Sequence, residues 1–269
     1  MEERNKGVAL ALFGMFIYGL EPIVIKANPS NPVSFAFFSA LFAAIFLAFY
    51  PGAVREAANG IRKGFFVGLF GTALAYISYS YGAKLSTATN AALITRAEVL
   101  FSFLLAGMLL RERITGARLI NALIVLTGVV LVLTHGAAVK PGVGDVLLLL
   151  VPLFWQLGHV IAKTMDISPQ SIALLRNSFG ALLLFPAALL TGLEFTPYAV
   201  LEGLIIALGQ VVWYASIRRI ELSLATAIIT PAPVVAIGMS LLLGESVTFW
   251  HLAGFVLITL GTLGLIRSS

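Results

Sequence analysis

The sequence predicts an all-α integral membrane protein in which ten transmembrane helices form two inverted repeats of five helices each. Three observations predict this fold class: an apolar composition, a succession of apolar segments long enough to cross a bilayer, and an internal duplication. Of the 269 residues, 59% are hydrophobic and only 11% are charged, whereas soluble domains carry about 25% charged residues. A single soluble core could not bury this much apolar surface, so the lipid bilayer is the environment that suits the chain.

Ten apolar segments approach or reach the roughly 20 residues that a helix needs to cross the hydrocarbon core. In the first half they lie at Gly7–Lys26, Val33–Tyr50, Gly64–Gly82, Thr87–Leu110 and Gly116–Thr134. In the second half they lie at Gly144–Lys163, Ser168–Thr191, Pro197–Ser216, Leu222–Gly244 and Thr248–Ile266. The connections between them are short, which leaves no room for a soluble domain.

The second half of the chain repeats the pattern of the first. The repeated residues, at shifts that drift from 137 to 133 positions, include Leu20 and Leu157, Lys26 and Lys163, Tyr79 and Tyr214, and Glu112 and Glu245. We therefore expect one repeat at residues 1–139 and a second at residues 140–269. Since each repeat crosses the membrane an odd number of times, the second enters from the opposite face. Inverted repeats are the architecture of alternating-access transporters.

Lys and Arg residues are distributed unequally between the predicted connections. If the N-terminus is cytoplasmic, the inner side carries twelve cations and the outer side carries only Lys26, Lys84 and Lys140. Cytoplasmic loops are enriched in Lys and Arg, so the asymmetry predicts a multi-pass protein of the plasma (inner) membrane with both termini in the cytoplasm. The net charge of +5 is explained by this topology, and we expect no nucleic-acid partner.

The sequence contains no motif for catalysis or for a cofactor. It has no cysteine and only three histidines, His135, His159 and His251, whose spacing does not suit a metal site. There is no His-Glu-x-x-His, Gly-x-Ser-x-Gly or Walker motif. The sequence therefore predicts a protein that is not an enzyme and that has no catalytic residue, cofactor or metal. A pump of this kind uses an ion gradient or exchange rather than ATP.

A turn of pattern Glu-x-x-Thr precedes the last apolar segment of each half, at Glu112–Thr115 and Glu245–Thr248. The first helix of each half bears an aromatic residue, Tyr18 or Trp155, and ends in lysine. In these features the chain resembles the EamA-type family of the drug/metabolite transporter superfamily over essentially its whole length. The resemblance implies ten helices, cytoplasmic termini and a central cavity, with the fifth and tenth helices at the periphery. It also implies a small-molecule substrate, since members move amino acids, other metabolites, nucleotide-sugars or drugs, often as exporters.

Five ionisable side chains lie well inside predicted helices: Glu21, Arg96, Glu98, His159 and Arg176. A charge at the bilayer centre costs about 2.5–3.5 kcal/mol, so such residues face a wet cavity, pair with one another or act in transport. Glu21 precedes Pro22, which removes a backbone donor and disturbs the helix. The Glu21 carboxylate is therefore a candidate for binding a substrate ammonium group or for carrying a proton. The alternative is a structural pair with one of the two arginines.

Arg96 and Glu98 lie two positions apart near the middle of the fourth predicted helix. Two positions turn an α-helix by about 200°, so we expect that the two side chains do not face each other. At least one then contacts the cavity or another helix. Their duplicates are Pro231 and Pro233, which interrupt the ninth predicted helix and free backbone groups that can coordinate a substrate. The alternative is that these prolines only kink the helix.

Further candidates come from both halves. His159 is a candidate proton relay or a packing residue. Arg176 is a candidate for binding a substrate carboxylate through its several donors, or it ties down a helix end. Aromatic side chains and one amide are candidates for the wall of the cavity, with packing as the alternative: Trp155, Tyr79, Trp213, Tyr214, Tyr18, Tyr76 and Gln210.

Together these residues predict a secondary transporter that moves a small metabolite across the bilayer by alternating access, as an exporter. The mixture of acidic and basic groups suits an amphoteric solute such as an amino acid, coupled to a proton or to a counter-substrate. An alternative within the same class is efflux of drugs or toxic cations by proton exchange. Alternatives from other classes are a membrane channel and a lipid-modifying membrane enzyme.

Overall fold

The computed structural model describes residues 2–109, 115–135, 141–229 and 232–267. Within these ranges the chain forms helices joined by short connections, and it contains no β-strand. The prediction of an all-α protein is thereby confirmed.

The elements of the first half begin at residue 2. Its α-helices are α1 (Glu2–Tyr18), α2 (Glu21–Ala27), α3 (Pro32–Ala48), α4 (Ala53–Ala57), α5 (Ile61–Gly68), α6 (Ala75–Leu85), α7 (Ala88–Ile94), α8 (Glu98–Leu109) and α9 (Gly116–Thr134). Turns of 3₁₀ helix lie at Ala58–Gly60 and Thr95–Ala97, and a π-helical segment lies at Leu69–Leu74.

The elements of the second half are mostly longer. Its α-helices are α10 (Val143–Lys163), α11 (Pro169–Thr191), α12 (Pro197–Ile217), α13 (Leu222–Ile229), α14 (Pro233–Ser240) and α15 (Phe249–Arg267), with a 3₁₀ turn at Leu241–Leu243.

Five of the described helical stretches are long and apolar enough to cross a membrane: Glu2–Ala27, Ala88–Leu109, Val143–Lys163, Pro169–Thr191 and Pro197–Ile217. A sixth is counted if Pro32–Ala48 and Ala53–Leu85, which are bent by 112° at their junction, form one span. Shorter apolar helices lie at Leu119–Val132, Pro233–Leu243 and Phe249–Gly264. The protein therefore has a multi-span membrane fold, while the total of ten spans stays a prediction.

The first predicted span is interrupted near its middle. The sequence predicts one helix over Gly7–Lys26, whereas α1 ends at Tyr18 and α2 begins at Glu21. Pro22 is the second residue of α2, where its missing N–H removes a hydrogen bond to the preceding turn. Gly19 lies in the break, and a Cβ atom there would lie 2.6 Å from Val235 Cβ on α14, so this close approach requires glycine.

Other predicted spans are also irregular. The π-helical segment Leu69–Leu74 interrupts the third span and the 3₁₀ turn Thr95–Ala97 interrupts the fourth. In the ninth span, Pro233 is the first residue of α14, and Pro231 lies outside the described residues. Some side chains of the candidate site described below lie in or next to these irregular segments.

The helices pack with α3 against α11 and α12, and with α10 against α6. Helices α9 and α15 pack mainly on each other, and a Cβ atom on Gly128 would lie 2.8 Å from the carbonyl oxygen of Gly254. Large apolar side chains such as Phe49, Leu190 and Leu242 are exposed. A lipid environment covers such side chains at no cost in free energy.

The two ends of the bundle differ in their polar residues. At one end, called the basic end here, Lys63 and Arg218 donate hydrogen bonds to the connection between α10 and α11. At the opposite end, Glu245 accepts hydrogen bonds of 2.9 and 3.1 Å from the first backbone N–H groups of α7. Helix α12 runs from the opposite end, at Pro197, to the basic end, at Ile217.

Candidate functional site

A buried cavity brings together side chains from both halves of the chain. It is lined by Tyr18, Glu21, Tyr76, Arg96, Glu98, Trp155, His159, Arg176, Gln210, Trp213 and Ile229. The five ionisable residues singled out inside the predicted helices therefore lie in the wall of the same cavity. None of the five is more than 6% exposed.

The cavity is small in this state. Its water-accessible space is about 30 Å³, and one water molecule needs roughly 10–15 Å³ by this measure. The space therefore holds about two water molecules. A solute the size of an amino acid enters only if the surrounding helices move apart.

Glu21 is the first residue of α2 and directly follows the break in the first span. Its Oε1 accepts a hydrogen bond of 2.8 Å from the hydroxyl of Tyr76 on α6. Among the described residues Glu21 forms no ion pair, so neither Arg96 nor Arg176 is its direct partner. The carboxyl group thus lies in the cavity wall in contact with a phenol, and the two arginines of the same wall make no ion pair with it.

Arg96 and Glu98 do face each other, which corrects the expectation from helical geometry. Nη1 of Arg96 lies 3.0 Å from Oε1 of Glu98. The physical reason is the 3₁₀ turn at Thr95–Ala97, because each 3₁₀ residue turns about 120° and not about 100°. Two positions of a 3₁₀ turn differ by about 240°, which is about 120° by the shorter way around the axis. Two α-helical positions differ by about 200°, which is about 160° by the shorter way. The long arginine side chain spans the remaining separation.

The guanidinium of Arg96 has a second partner on another helix. Its Nη1 donates a hydrogen bond of 3.2 Å to the carbonyl oxygen of Ile229, the last residue of α13. Its Nε and the Oε1 of Glu98 have no hydrogen-bond partner among the described residues. The distance between the two side chains is that of an ion pair, but its geometry does not meet the angles of a hydrogen bond.

Arg176 on α11 is bound by neutral groups. Its Nε donates to Thr72 Oγ1 at 3.2 Å, its Nη1 donates to the Tyr214 hydroxyl at 3.1 Å and lies 3.4 Å from His159 Nε2. Its Nη2 donates to the carbonyl oxygen of Gly71. Among the described residues it forms no ion pair, so its charge is not neutralised by a direct contact.

The π-helical segment provides two of these partners. Gly71 and Thr72 both lie within Leu69–Leu74, where the wider turn changes the backbone hydrogen bonding. A Cβ atom on Gly71 would lie 2.9 Å from Arg176 Nε. Only glycine therefore lets the guanidinium approach this backbone.

Amide and aromatic side chains complete the wall. Asn177 Nδ2 donates a hydrogen bond of 2.6 Å to Gln210 Oε1. The ring of Trp155 packs against Tyr76, with centroids 6.3 Å apart, and that of Trp213 packs against His159 at 5.1 Å. The indole N–H groups of both tryptophans and the Nε2 of Gln210 are buried and have no partner among the described residues. They are hydrogen-bond donors that the described residues leave unused.

Two aromatic candidates lie beside the cavity and not in its wall. Tyr79 packs edge-on against Trp155 at 5.5 Å and lines a separate small space together with Pro22 and Pro233. The two described prolines of the broken helices thus lie around the same space. Tyr214 touches the site through its hydrogen bond to Arg176.

Two grooves open at the basic end. One has a volume of about 290 Å³, is lined by Lys163 and Arg218, and reaches Tyr214. The other has a volume of about 530 Å³, shares Lys163 and Arg218, and is also lined by Arg4. Because Tyr214 is hydrogen-bonded to Arg176, these two side chains separate the first groove from the cavity.

Sequence reasoning missed Glu202, a further acidic group buried inside a helix. It lies on α12, is 0% exposed, and neither carboxyl oxygen has a hydrogen-bond partner among the described residues. The signal that could have found it is an acidic residue within the apolar segment Pro197–Ser216. It was missed because it lies only five residues after Pro197, near the start of that segment. Thr72 was also missed, since a lone threonine in an apolar helix carries no signal.

The fold and the cavity define a class of protein: a helical multi-span membrane protein that encloses a polar, mixed-charge cavity between the two halves of its chain. Within the described ranges no group of three His, Asp or Glu side chains lies close enough to hold a metal ion. The polar groups of the cavity are hydrogen-bond donors and acceptors.

The sequence profile of the EamA-like transporter family matches the chain twice, at residues 5–134 and at residues 142–267. These matches cover most of the chain, so the protein belongs to the EamA-like transporter family. The resemblance seen in the sequence is thereby confirmed. The family and its relatives are named as transporters, which agrees with the prediction of a membrane transporter that is not an enzyme.

Individual relatives are distant. The chain is 30% identical over 233 residues to the uncharacterized protein PA1977 of Pseudomonas aeruginosa, covering 82% of this chain and 79% of that protein. It is 27% identical over 239 residues to an uncharacterized transporter of Methanothermobacter thermautotrophicus, covering 76% and 68%. It is 26% identical over 222 residues to the uncharacterized transporter YyaM of Bacillus subtilis, covering 75% and 72%. A crystal structure with 16% sequence identity matches with a TM-score of 0.73 over 97% of this chain and 98% of that chain, which supports the fold alone.

Proposed function

We propose that this transporter is a secondary carrier that exports a small amphoteric solute, such as an amino acid, by alternating access. In this proposal residues 1–139 and 140–269 are inverted repeats that rock about the cavity. The twofold match of the family profile supports this division.

The observation that carries the proposal is the state of Arg176. Arg176 is 3% exposed, and it forms no ion pair with the described residues. A buried cation of this kind attracts a carboxylate, which arginine binds through paired donors. Glu21 lies in the wall of the same cavity without a cationic partner and suits an ammonium group. The cavity thus offers one acidic and one basic contact, as an amphoteric solute requires.

The small size of the cavity supports an occluded state in a transport cycle. The hydrogen bond between Arg176 and Tyr214 separates the cavity from the groove at the basic end. A solute carboxylate that binds Arg176 competes with this hydrogen bond. In the proposed cycle, solute binding therefore replaces a contact that closes the basic end.

The distribution of Lys and Arg residues supports the proposed orientation of the protein in the membrane. Lys63, Lys163, Arg218 and Arg4 lie at the basic end, and cytoplasmic surfaces are enriched in Lys and Arg. We infer that the basic end and both termini face the cytoplasm of a cell bounded by the plasma (inner) membrane. Export then begins at the grooves of the basic end and is driven by a proton or a counter-substrate.

The aromatic wall favours a second candidate, the efflux of an organic cation by proton exchange. Tyr18, Tyr76, Trp155 and Trp213 line the cavity around the Glu21 carboxyl group. Aromatic faces attract quaternary ammonium groups. This candidate uses Glu21 and does not need Arg176.

A ligand screen with matched variants separates the two candidates. The purified full chain is screened by thermal shift against amino acids, other metabolites and quaternary ammonium compounds. If the solute is amphoteric, amino acids raise the melting temperature of the wild type, and R176Q weakens binding about ten- to a hundredfold, the loss of one or two charge-assisted hydrogen bonds. The control R62Q removes an exposed arginine that lines neither the cavity nor the grooves and keeps the response.

Counterflow in proteoliposomes then tests transport by the solute found. Proteoliposomes that contain a carrier and are preloaded with unlabelled solute accumulate labelled solute transiently. Proteoliposomes that contain a channel only bring the labelled solute to equilibrium. Quaternary ammonium counterflow that E21Q abolishes and R176Q preserves would replace the first candidate by the second. Flux without saturation or counterflow would refute both.

A further inference from the structure

Glu202 is an acidic residue that the cavity described above does not use. It is 0% exposed inside α12, and neither of its carboxyl oxygens has a hydrogen-bond partner among the described residues. An ionised carboxylate without donors in such a place costs several kcal/mol. We propose that Glu202 is a proton-binding residue on a route that joins Glu21 to the end of the bundle opposite the basic end. The inference rests on the proposed function, because it assigns the coupling ion of the same site.

Glu202 lies on the cavity face of α12 but beyond the cavity. At 100° per residue, Gly209 and Trp213 each lie within about 20° of Glu202 around the helix. A Cβ atom on Gly209 would lie 2.9 Å from the ring of Tyr18, and Trp213 lines the cavity. With a rise of about 1.5 Å per residue, Glu202 is about 10 Å from Gly209 toward the opposite end.

Helix α2, which carries Glu21, packs against α12, and α6 carries Tyr76 and Tyr79. The Glu202 carboxyl interacts electrostatically with Glu21 and with the hydroxyls of Tyr76 and Tyr79. Glu202 and Glu21 thus lie on helices that pack together, and the Tyr76 hydroxyl on α6 is bonded to Glu21. In the proposal the proton moves between the two carboxyl groups by way of this phenol.

The remaining elements packed on α12 leave the Glu202 carboxyl unpaired. Helix α3 has no ionisable side chain. It lies close to α12, as shown by the distance of 3.0 Å between a Cβ atom placed on Gly203 and the carbonyl oxygen of Ser39. The Ser39 hydroxyl is buried and also without a partner in the described structure. The ionisable side chains of the other packed elements make no described ion pair or hydrogen bond with Glu202: Tyr18, Lys26, His159 and Arg176.

A buried polar cluster continues from Glu202 toward the opposite end. The side chain of Asn28 accepts hydrogen bonds from the Thr196 hydroxyl at 2.9 Å and from the Ser30 hydroxyl at 3.0 Å. Thr196 directly precedes α12, so the cluster lies about 9 Å along the helix from Glu202. These hydroxyl groups both donate and accept, as a path for protons requires.

The proposed step is a proton transfer. With the cavity closed to the cytoplasm, a Glu202 carboxyl gives its proton to the Glu21 carboxylate and receives another from water outside through the polar cluster. Only O–H bonds break and form, and the total charge of the pair changes by the proton that enters. When the basic end opens, Glu21 releases its proton to the cytoplasm, so that the solute leaves as the proton enters.

Infrared spectroscopy of the purified full chain at neutral pH tests proton binding without any substrate. We expect the wild type to show the carbonyl stretching band of a protonated carboxyl group, and we expect E202Q to lose that band or a resolved component of it. The control E221Q removes an exposed acid and keeps the band. If E202Q does not fold, E202D keeps an acid at the position and must shift the component.

A band unchanged in E202Q, or unshifted in E202D, overturns the proposal. In proteoliposomes with the solute found above, E202Q should lose proton-driven uphill transport and keep solute counterflow. Loss of counterflow as well would assign Glu202 to the structure of the site and overturn its role in coupling. If no solute is transported at all, the proposed function fails while the infrared result still decides whether Glu202 holds a proton.

Discussion

Replacing Arg96 by methionine tests the ion pair that the 3₁₀ turn creates. Arg96 Nη1 lies 3.0 Å from Glu98 Oε1, and the two side chains are only 6% and 2% exposed. Removing one partner of a buried pair leaves an unpaired charge and costs about 3–5 kcal/mol. We therefore expect R96M to lower the free energy of unfolding by about 3–5 kcal/mol.

The double variant R96M/E98Q separates charge pairing from packing. It removes both charges at similar volume, and such replacements of buried pairs are often neutral or stabilising. We expect the double variant to be more stable than R96M alone, with a coupling energy of at least about 1 kcal/mol.

The measurement is reversible unfolding of the purified full chain in mixed micelles of mild detergent and dodecyl sulfate, followed by helical circular dichroism. The control R62M removes an exposed arginine and should change the free energy of unfolding by no more than about 0.5 kcal/mol. Additive effects of R96M and E98Q would refute the ion pair and return the two side chains to separate environments.

Three further predictions use the same unfolding assay. Gly71→Ala places a Cβ atom 2.9 Å from a guanidinium nitrogen and should cost about 1–3 kcal/mol, whereas Gly238→Ala, which faces open space on α14, should stabilise by about 0.5–1 kcal/mol; equal effects would contradict the close contact. Glu245→Ala removes the acceptor of two N–H groups at the start of α7 and should cost about 1–3 kcal/mol, and the exposed Glu221→Ala should be near neutral. Asn177→Ala breaks a 2.6 Å hydrogen bond to an amide on α12 and should cost about 1–3 kcal/mol; a shift below about 0.5 kcal/mol would mean that water replaces it.

Sequence reasoning was strongest where a residue type is expensive in a membrane. Charges inside apolar segments are rare because of their solvation cost, so Glu21, Arg96, Glu98, His159 and Arg176 could be identified without knowing the fold. The structure brings all five to one cavity. The same argument applies to Glu202, but its position five residues after the start of α12 is one where an exposed helix end is expected.

Sequence reasoning was weakest where the backbone departs from a regular helix. The prediction that Arg96 and Glu98 face apart assumed α-helical turns, and the 3₁₀ turn at Thr95–Ala97 made it wrong. The π-helical segment that presents Gly71 to Arg176 has no sequence signature of its own. Both irregularities are stabilised by tertiary contacts, which depend on residues more than a hundred positions away and cannot be read from a local pattern.

The two cavity arginines are held in a common way that bears on how the site binds a solute. Arg176 donates to the carbonyl of Gly71 in the π-helical segment, and Arg96 donates to the carbonyl of Ile229 at the C-terminal end of α13. Carbonyl groups at a helix end or in an irregular turn carry partial negative charge that is not used by the helix. They can hold a guanidinium without cancelling its full charge, whereas a carboxylate would cancel it. For Arg176, where no carboxylate is bound among the described residues, this arrangement keeps an attractive potential in a cavity of low dielectric constant. The proposed function uses this potential, because in it a solute carboxylate binds at Arg176 and leaves again.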